Sequence, residues 1–274
     1  MKKFCVIGNP VAHSLSPNIF KYIFKHFKIN AEYKTVFIED NNLLEDFFLK
    51  TKNIYNGYNI TAPFKDNILD IVDEVDSSAK ILKSINCIKN FNNKLVGYNT
   101  DYCGFELLLK NLIEIDIKNR NFLILGNGST ARTVAYVLSN LFAKNINIIG
   151  RNSVKVDSFL YQINKKIIGT NKVFKYKKNN FNYILINCLP INISKDDLYS
   201  ILENIIIENI ELLIDVNYKE NFVSNTFINK GIKTIMGQDM LLYQALKNFD
   251  IWFDAEQLNN FDIINLRKQV FKNV

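Results

Sequence analysis

Short apolar runs alternate with longer amphipathic stretches along most of the chain. The run "KFCVIG" (3–8) reads as a strand, and "NIFKYIFKHFKI" (18–29) spaces its apolar residues like one face of a helix. Pro17 suits the first turn of that helix, with Ser16 as its N-cap. "EYKTVFI" (32–38) predicts a strand, "NLLEDFFLK" (42–50) a helix, and "IYNGYNI" (54–60) a strand that runs into "TAPFK". "INCIKN" (85–90) and "KLVGYN" (94–99) are short strands around "FNN", a hairpin signal. "DYCGFELLLKNLI" (101–113) predicts a helix. Further on, "NFLILG" (121–126), "NINIIG" (145–150), "YILINCLP" (183–190) and "ELLIDVNY" (211–218) predict strands. "STARTVAYVLSNLF" (129–142), "DMLLYQALKNFDIWF" (239–253) and the tail after Ala255 predict helices. Strands alternating with helices at this rhythm argue for parallel sheets built from βαβ units. Two such series follow one another, with a break near residue 101 and no Gly/Ser- or Pro-rich linker between them. The expected class is α/β with two domains.

Composition narrows the possibilities. Apolar residues make up 48% of the 274, enough for buried cores, and the charged fraction of 22% is ordinary. No apolar run approaches the length of a membrane-spanning helix, and the four apolar residues before Gly8 are too few for a signal peptide. A cytoplasmic protein is expected. Cys5, Cys87, Cys103 and Cys188 lack metal-ligand spacing and read as reduced thiols, and no metal is implied. The net charge is +7, but the cations are scattered, and the densest cluster, "KVFKYKK" (172–178), is short. That distribution implies neither nucleic acid nor membrane as a partner and suits an anionic small molecule.

There are only ten glycines and four prolines, and most fall just after a strand-like run. "GNPVAHSLSP" (8–17) holds one of the glycines and two of the prolines. Glycine is favoured where φ is positive and needed where backbone approaches something closely. These strand ends are therefore where open α/β sheets place their ligands.

The second series carries a dinucleotide signature. Gly126-x-Gly128-x-x-Ala131 lies between a strand and a helix. The first glycine permits the tight turn, the second admits a pyrophosphate to the backbone, and Ala131 lets the helix pack closely. Asn127, Ser129 and Thr130 complete the loop. After the next strand an acidic residue would bond the 2′-hydroxyl of NAD, but here stand Arg151, Asn152 and Lys155. Two cations suit a 2′-phosphate, so NADP is the expected cofactor.

The first series carries candidate chemistry. Ser14 and Ser16 are hydroxyls one residue apart, able to donate to both oxygens of a carboxylate. The loop after the third strand offers Asn59, Thr61 and Lys65; "INC" offers Asn86 and "GYNTD" Asp101. A lysine beside a carboxylate can hand a proton to a developing alkoxide or take one from an alcohol, as hydride transfer to a carbonyl requires. His13 could order the serine loop, and His26 reads as a surface residue.

These blocks, in this order, resemble the shikimate/quinate dehydrogenase family over nearly the whole chain. "GNPVAHSLSPNIF" resembles its substrate loop and "GYNITAPFK" its catalytic-lysine block. "INC" and "GYNTDYCGF" resemble its Asn and Asp blocks, and "LGNGSTA" and "GRNSVK" its cofactor and NADP-phosphate loops. "NCLP", "DVNY" and "GQDMLLYQA" resemble its closing segments. The resemblance implies a substrate-binding and catalytic domain at 1–101 plus 238–274, whose C-terminal helices return to it, and a Rossmann-type NADP domain at 102–237. It implies Lys65 and Asp101 as the catalytic pair. Ser14, Ser16, Asn59, Thr61, Asn86, Tyr218 and Gln244 would lie around the substrate, and Gly126 to Ala131, Arg151, Asn152, Lys155 and Gly237 around the cofactor. The implied reaction is NADPH-dependent, reversible reduction of 3-dehydroshikimate to shikimate, by a monomer or homodimer. The chain departs from the family pattern at Ser129, where a glycine is usual, at Lys83–Ser84 for Gly–Ala, at Asn192 for glycine and at Glu220 for proline. Two other readings remain at this level: a paralogue acting on quinate or another cyclic polyol acid, perhaps with NAD, and a nucleotide-sensing module without catalysis.

Overall fold

The structure, a computed structural model, describes residues 1–112, 115–167, 171–258 and 260–272. Ile113, at the end of one expected helix, lies outside them. The chain divides into two compact units, residues 1–104 with 242–274, and residues 105–241.

The first unit begins with β1 (Lys2–Gly8), α1 (Ser16–His26), β2 (Ala31–Phe37), α2 (Leu44–Thr51) and β3 (Gly57–Ile60). It continues with β4 (Glu74–Val75), α3 (Ser77–Leu82), β5 (Cys87–Phe91), β6 (Lys94–Tyr98) and the start of α4 (Asp101–Asn111). The sheet order is β2-β1-β3-β5-β6-β4. β1 runs parallel to β2 and β3, but β5 is antiparallel to both β3 and β6. The first sheet is therefore mixed, not uniformly parallel as the βαβ rhythm predicts: parallel from β2 to β3 and between β4 and β6, with β5 antiparallel to both of its neighbours. The β5–β6 pair is the two-residue hairpin that the sequence predicts. Asn92 and Asn93 both take positive φ, 51° and 63°, the geometry that matches the twist of paired strands.

The helical pattern of "DMLLYQALKNFDIWF" becomes α9 (Gln238–Phe253), which with α10 (Ile263–Val270) completes the chain. From Leu242 onward α9 belongs to the first unit. Trp252 stacks on Phe4 at 4.5 Å between ring centroids, and its indole N–H donates to the Ile88 carbonyl at 3.0 Å. A Cβ on Gly57 would lie 2.4 Å from the indole nitrogen, so this strand position has room only for glycine. α9 thus packs onto the first sheet, α10 lies against α1, and the opposite face of the sheet buries Ile7, Phe48, Tyr58 and Phe64.

The second unit takes over within α4 and holds β7 (Asn121–Leu125), α5 (Ser129–Asn140), β8 (Asn145–Ile149), α6 (Ser153–Asn164) and β9 (Val173–Lys175). β10 (Tyr183–Asn187), α7 (Lys195–Leu202), β11 (Ile210–Asp215), α8 (Phe222–Ile228) and β12 (Lys233–Met236) follow. The order β12-β11-β10-β7-β8-β9 is parallel throughout. This is the doubly wound dinucleotide-binding topology. Its strand order reverses between β7 and β10, so the loops after those two strands flank the crevice where such sheets bind ligands. No helix among the described residues is long and apolar enough to cross a membrane.

Candidate active site

In the first unit, four strand-end segments meet. Gly8 closes β1, and a Cβ there would lie 2.3 Å from the Thr61 methyl, so the loops after β1 and β3 touch. Their backbones are tied by Asn9 N–H to Ala62 O at 3.0 Å and Thr61 N–H to Ile7 O at 2.9 Å. Lys65 sits in the short 3-10 turn Phe64–Asp66, whose backbone accepts from Ile85 N–H at 2.9 Å. Asp101 opens α4, where the helix N-terminus favours a carboxylate. Asn99 accepts from Tyr102 N–H at 3.2 Å and so anchors this helix start.

The Lys65 ammonium donates to Asp101 Oδ2 at 2.6 Å, and the two side chains are only 17% and 11% exposed. The other Asp101 oxygen accepts from Asn86 Nδ2 at 2.8 Å. Asn86 is buried and held by its oxygen, which accepts from Thr100 N–H at 2.7 Å. A chain of hydrogen bonds extends away from it. Asn59 donates to the Asn86 carbonyl at 2.9 Å and accepts from the Tyr33 hydroxyl at 2.7 Å. Loss of hydration pushes the Tyr33 phenol well above the usual range, so it stays a neutral donor. Gln244 and Asn248, on one face of α9, close the other end: Thr100 donates to Asn248 Oδ1 at 2.6 Å, and Asn248 donates to Gln244 Oε1 at 3.0 Å.

The structure therefore joins Asn59, Asn86, Asp101, Lys65 and Gln244 in one network, while Ser14, Ser16 and Thr61 approach it through their loops. Ser16 does not cap α1 as its place before Pro17 predicts. It is the first helical residue, and the Ser14 hydroxyl accepts its backbone N–H at 3.3 Å. The hydroxyl that orders this helix start is thus Ser14. His13 and His26 are both exposed. Sequence reasoning missed Tyr33, Thr100 and Asn248. Only Asn248 had a signal, its place four residues after Gln244 on the same helix face.

In the second unit, Gly126 has φ of +99°, and its N–H donates to the Ile149 carbonyl at 2.9 Å. A Cβ on Gly128 would meet nothing within 4 Å, so the space over the α5 N-terminus is open to a ligand. Ala131 is fully buried beneath it. Asn127, Ser129 and Thr130 are half-buried around this helix start. Asn152 caps α6, accepting from Lys155 N–H at 3.0 Å. The exposed Arg151 is already engaged, in an ion pair with Asp197 of α7. The hydrogen-bonded pairing raises the guanidinium above its usual range and lowers the Asp197 carboxyl. Tyr218 lies in the turn after β11 and is half-buried. Gly237 fits where a Cβ would lie 2.2 Å from the Val216 carbonyl oxygen, and its N–H donates to Asn217 O.

A further group was not singled out residue by residue, although Asn187, Asp215 and Asn217 lie in the segments "NCLP" and "DVNY". The Asp215 carboxylate, fully buried, accepts from Asn187 and Asn221 at 2.9 Å and from the Asn217 amide at 2.8 Å. It ties together the loops after β10 and β11. Burial pushes its carboxyl up, against the pull of these donors. None of the four cysteines forms a disulfide, and burial pushes the Cys5, Cys87 and Cys188 thiols up, which keeps them protonated. No cluster able to hold a metal ion exists among the described residues.

Comparison with known proteins agrees with this geometry. The profile of the shikimate dehydrogenase substrate binding domain matches residues 6–88. The shikimate dehydrogenase (NADP(+)) of Pelagibacter ubique is 33% identical, covering 96% of this chain and 99% of its own length. That of Methanococcus aeolicus is 34% identical over 90% of both chains. Among solved structures, the shikimate dehydrogenase of Aquifex aeolicus superposes with a TM-score of 0.83 at 27% identity, over 100% of this chain and 98% of that one. A shikimate dehydrogenase in complex with NADP+ gives the same TM-score and identity, over 100% of this chain and 96% of that one. With full-length relatives at this identity, a matching substrate-domain profile and the same two-unit fold, the chain belongs to the shikimate dehydrogenase family.

Proposed function

We propose that this protein is an NADP-dependent shikimate dehydrogenase that interconverts 3-dehydroshikimate and shikimate. The observation that carries this reading is the Lys65–Asp101 pair, 2.6 Å apart and largely shielded from water, held by Asn86 at the ends of strands. The substrate-binding and catalytic domain is taken as 1–101 plus 238–274 and the NADP domain as 102–237.

The second unit suits the cofactor. The positive φ of Gly126, the open space over Gly128 and the α5 N–H groups fit a pyrophosphate. Arg151 and Lys155 fit the 2′-phosphate, with Asn152 shaping their loop and Gly237 keeping the backbone near the nicotinamide slim. The bound nicotinamide supplies the hydride for reduction or accepts it for oxidation.

The chain's own residues do the rest. Ser14 and Ser16 donate to the substrate carboxylate. Thr61, Asn86 and Gln244 bond its ring hydroxyls, and Asn59 fixes Asn86 from behind. In reduction, the Lys65 ammonium gives its proton to the carbonyl oxygen as negative charge develops there; in oxidation, the neutral amine takes the hydroxyl proton. Asp101 holds the amine at the reacting oxygen and stabilises its charged form.

The test is direct. Purified protein is offered shikimate or quinate with NADP or NAD, and reduced nicotinamide is followed by absorbance. Shikimate with NADP is the expected best pair. Preference for quinate or NAD overturns the substrate or cofactor assignment, and silence with all four pairs overturns catalysis.

A further inference from the structure

The amides around Asp101 do not have free choice of orientation. The Thr100 backbone N–H can only donate, and it lies 2.7 Å from Asn86 Oδ1, so the Asn86 oxygen must face it. Asn86 Nδ2 therefore faces Asp101 Oδ1 at 2.8 Å and the Thr100 hydroxyl at 2.9 Å. The hydroxyl accepts from Asn86 and has one proton to give. It has two oxygens in reach, Asn248 Oδ1 at 2.6 Å and Asn86 Oδ1 at 3.1 Å. The shorter distance is that of an O–H···O bond and short for an N–H···O bond, so the proton goes to Asn248 and the Asn248 oxygen faces Thr100. Asn248 Nδ2 must then point the other way, at Gln244 Oε1, 3.0 Å distant. Asn248 is fully buried and Gln244 is 7% exposed, so water has little access to scramble the order.

We infer that Asn248 is a positioning residue that fixes the Gln244 side-chain amide with its oxygen turned inward and its Nε2 donor end outward, so that the site offers a hydrogen-bond donor to a substrate hydroxyl. This rests on the reading of Gln244 as a substrate contact. The direction runs unbroken from one backbone N–H through Asn86, Thr100 and Asn248. Asn86 Nδ2 also faces Gln244 Oε1, at the longer distance of 3.5 Å, so a substitution at 248 removes the shorter contact on that oxygen without touching Lys65 or Asp101.

The test is steady-state kinetics of shikimate oxidation at saturating NADP for wild type, Asn248→Leu, Gln244→Ala and the double variant, with NADP affinity measured by calorimetry. Leu matches the size of Asn and removes both of its hydrogen bonds; Asn248→Ala, favourable in a helix, serves if Leu does not fold. Loss of one oriented hydrogen bond should raise the shikimate KM about 3- to 10-fold. The kcat and NADP affinity should hold, and the double variant should be no worse than Gln244→Ala alone, because residues acting through one contact are not additive. An unchanged KM, a parallel fall in kcat and NADP affinity, or full additivity with Gln244→Ala overturns the positioning role while leaving the enzyme assignment intact. A wild-type protein inactive toward shikimate overturns the functional reading, and this inference with it.

Discussion

Replacing Lys65 with methionine tests the chemistry most sharply. Met keeps much of the side-chain length and removes the ammonium. Asp101 loses its partner at 2.6 Å but keeps Asn86 Nδ2 at 2.8 Å and its place at the start of α4. Breaking a fully buried ion pair by removing one member costs about 3–5 kcal/mol. Here both groups are partly exposed, at 17% and 11%, and the carboxylate keeps two sources of support. The stability cost should thus fall below that range, about 1–2 kcal/mol, and the protein should fold. The catalytic cost is separate. General acid–base catalysis is worth roughly 10²- to 10⁴-fold, so kcat should drop by that factor. Ser14, Ser16, Asn86 and Gln244 are untouched, so KM should change only several-fold. Asp101→Asn should be similarly damaging, and Lys65→Met with Asp101→Asn little worse than either alone, because groups that act as a unit are not additive. The assay is steady-state kinetics at saturating NADPH with varied 3-dehydroshikimate, beside thermal denaturation of each variant. If Lys65 only anchors a hydroxyl, KM rises sharply and kcat is preserved; that result refutes proton transfer by Lys65.

Four further outcomes are expected. Arg151→Ala should weaken NADPH binding about 10- to 100-fold and leave NADH nearly unchanged. Asp197→Asn should strengthen NADPH, since the ion pair with Asp197 competes with the 2′-phosphate for the same guanidinium; calorimetry with both cofactors reads each change, and equal loss of NADPH and NADH in Arg151→Ala excludes the phosphate role. Ser14→Ala with Ser16→Ala should raise the shikimate KM and spare NADPH binding, and unchanged shikimate affinity by calorimetry removes the serines from the carboxylate site. Lys83→Gly should raise the melting temperature, because Lys83 occupies the left-handed region at φ 49°, which costs a side-chain-bearing residue about 1 kcal/mol relative to glycine.

That last position shows how sequence and structure share the information. The family resemblance implies a glycine at 83, and the structure supplies the reason, a left-handed C-cap of α3. Lysine survives there because only φ is demanded, as it is for Asn92 and Asn93 in the hairpin. At Gly237 the demand is different: the Val216 carbonyl fills the place of a Cβ, and no residue with a side chain fits without moving backbone. A scarce glycine right after a strand was therefore a usable signal of a close backbone approach. Lys65 and Asp101 were legible for the same reason, since strand ends and helix starts can be read from local pattern. The network behind them was not. Thr100 and Asn248 are 148 residues apart, Arg151 and Asp197 are 46 apart, and Tyr33 reaches Asn59 from an edge strand. No local periodicity marks such pairs, because what selects each residue is a partner brought near by the finished fold. Ser16 was misread at shorter range, where two serines competed for one helix start and only the loop geometry decides which hydroxyl accepts the N–H. The proposed reacting groups stand on local signals, whereas the residues that hold them are specified by tertiary contact alone. Substitutions at Thr100 or Asn248 should accordingly alter substrate affinity while every sequence motif of the site remains intact.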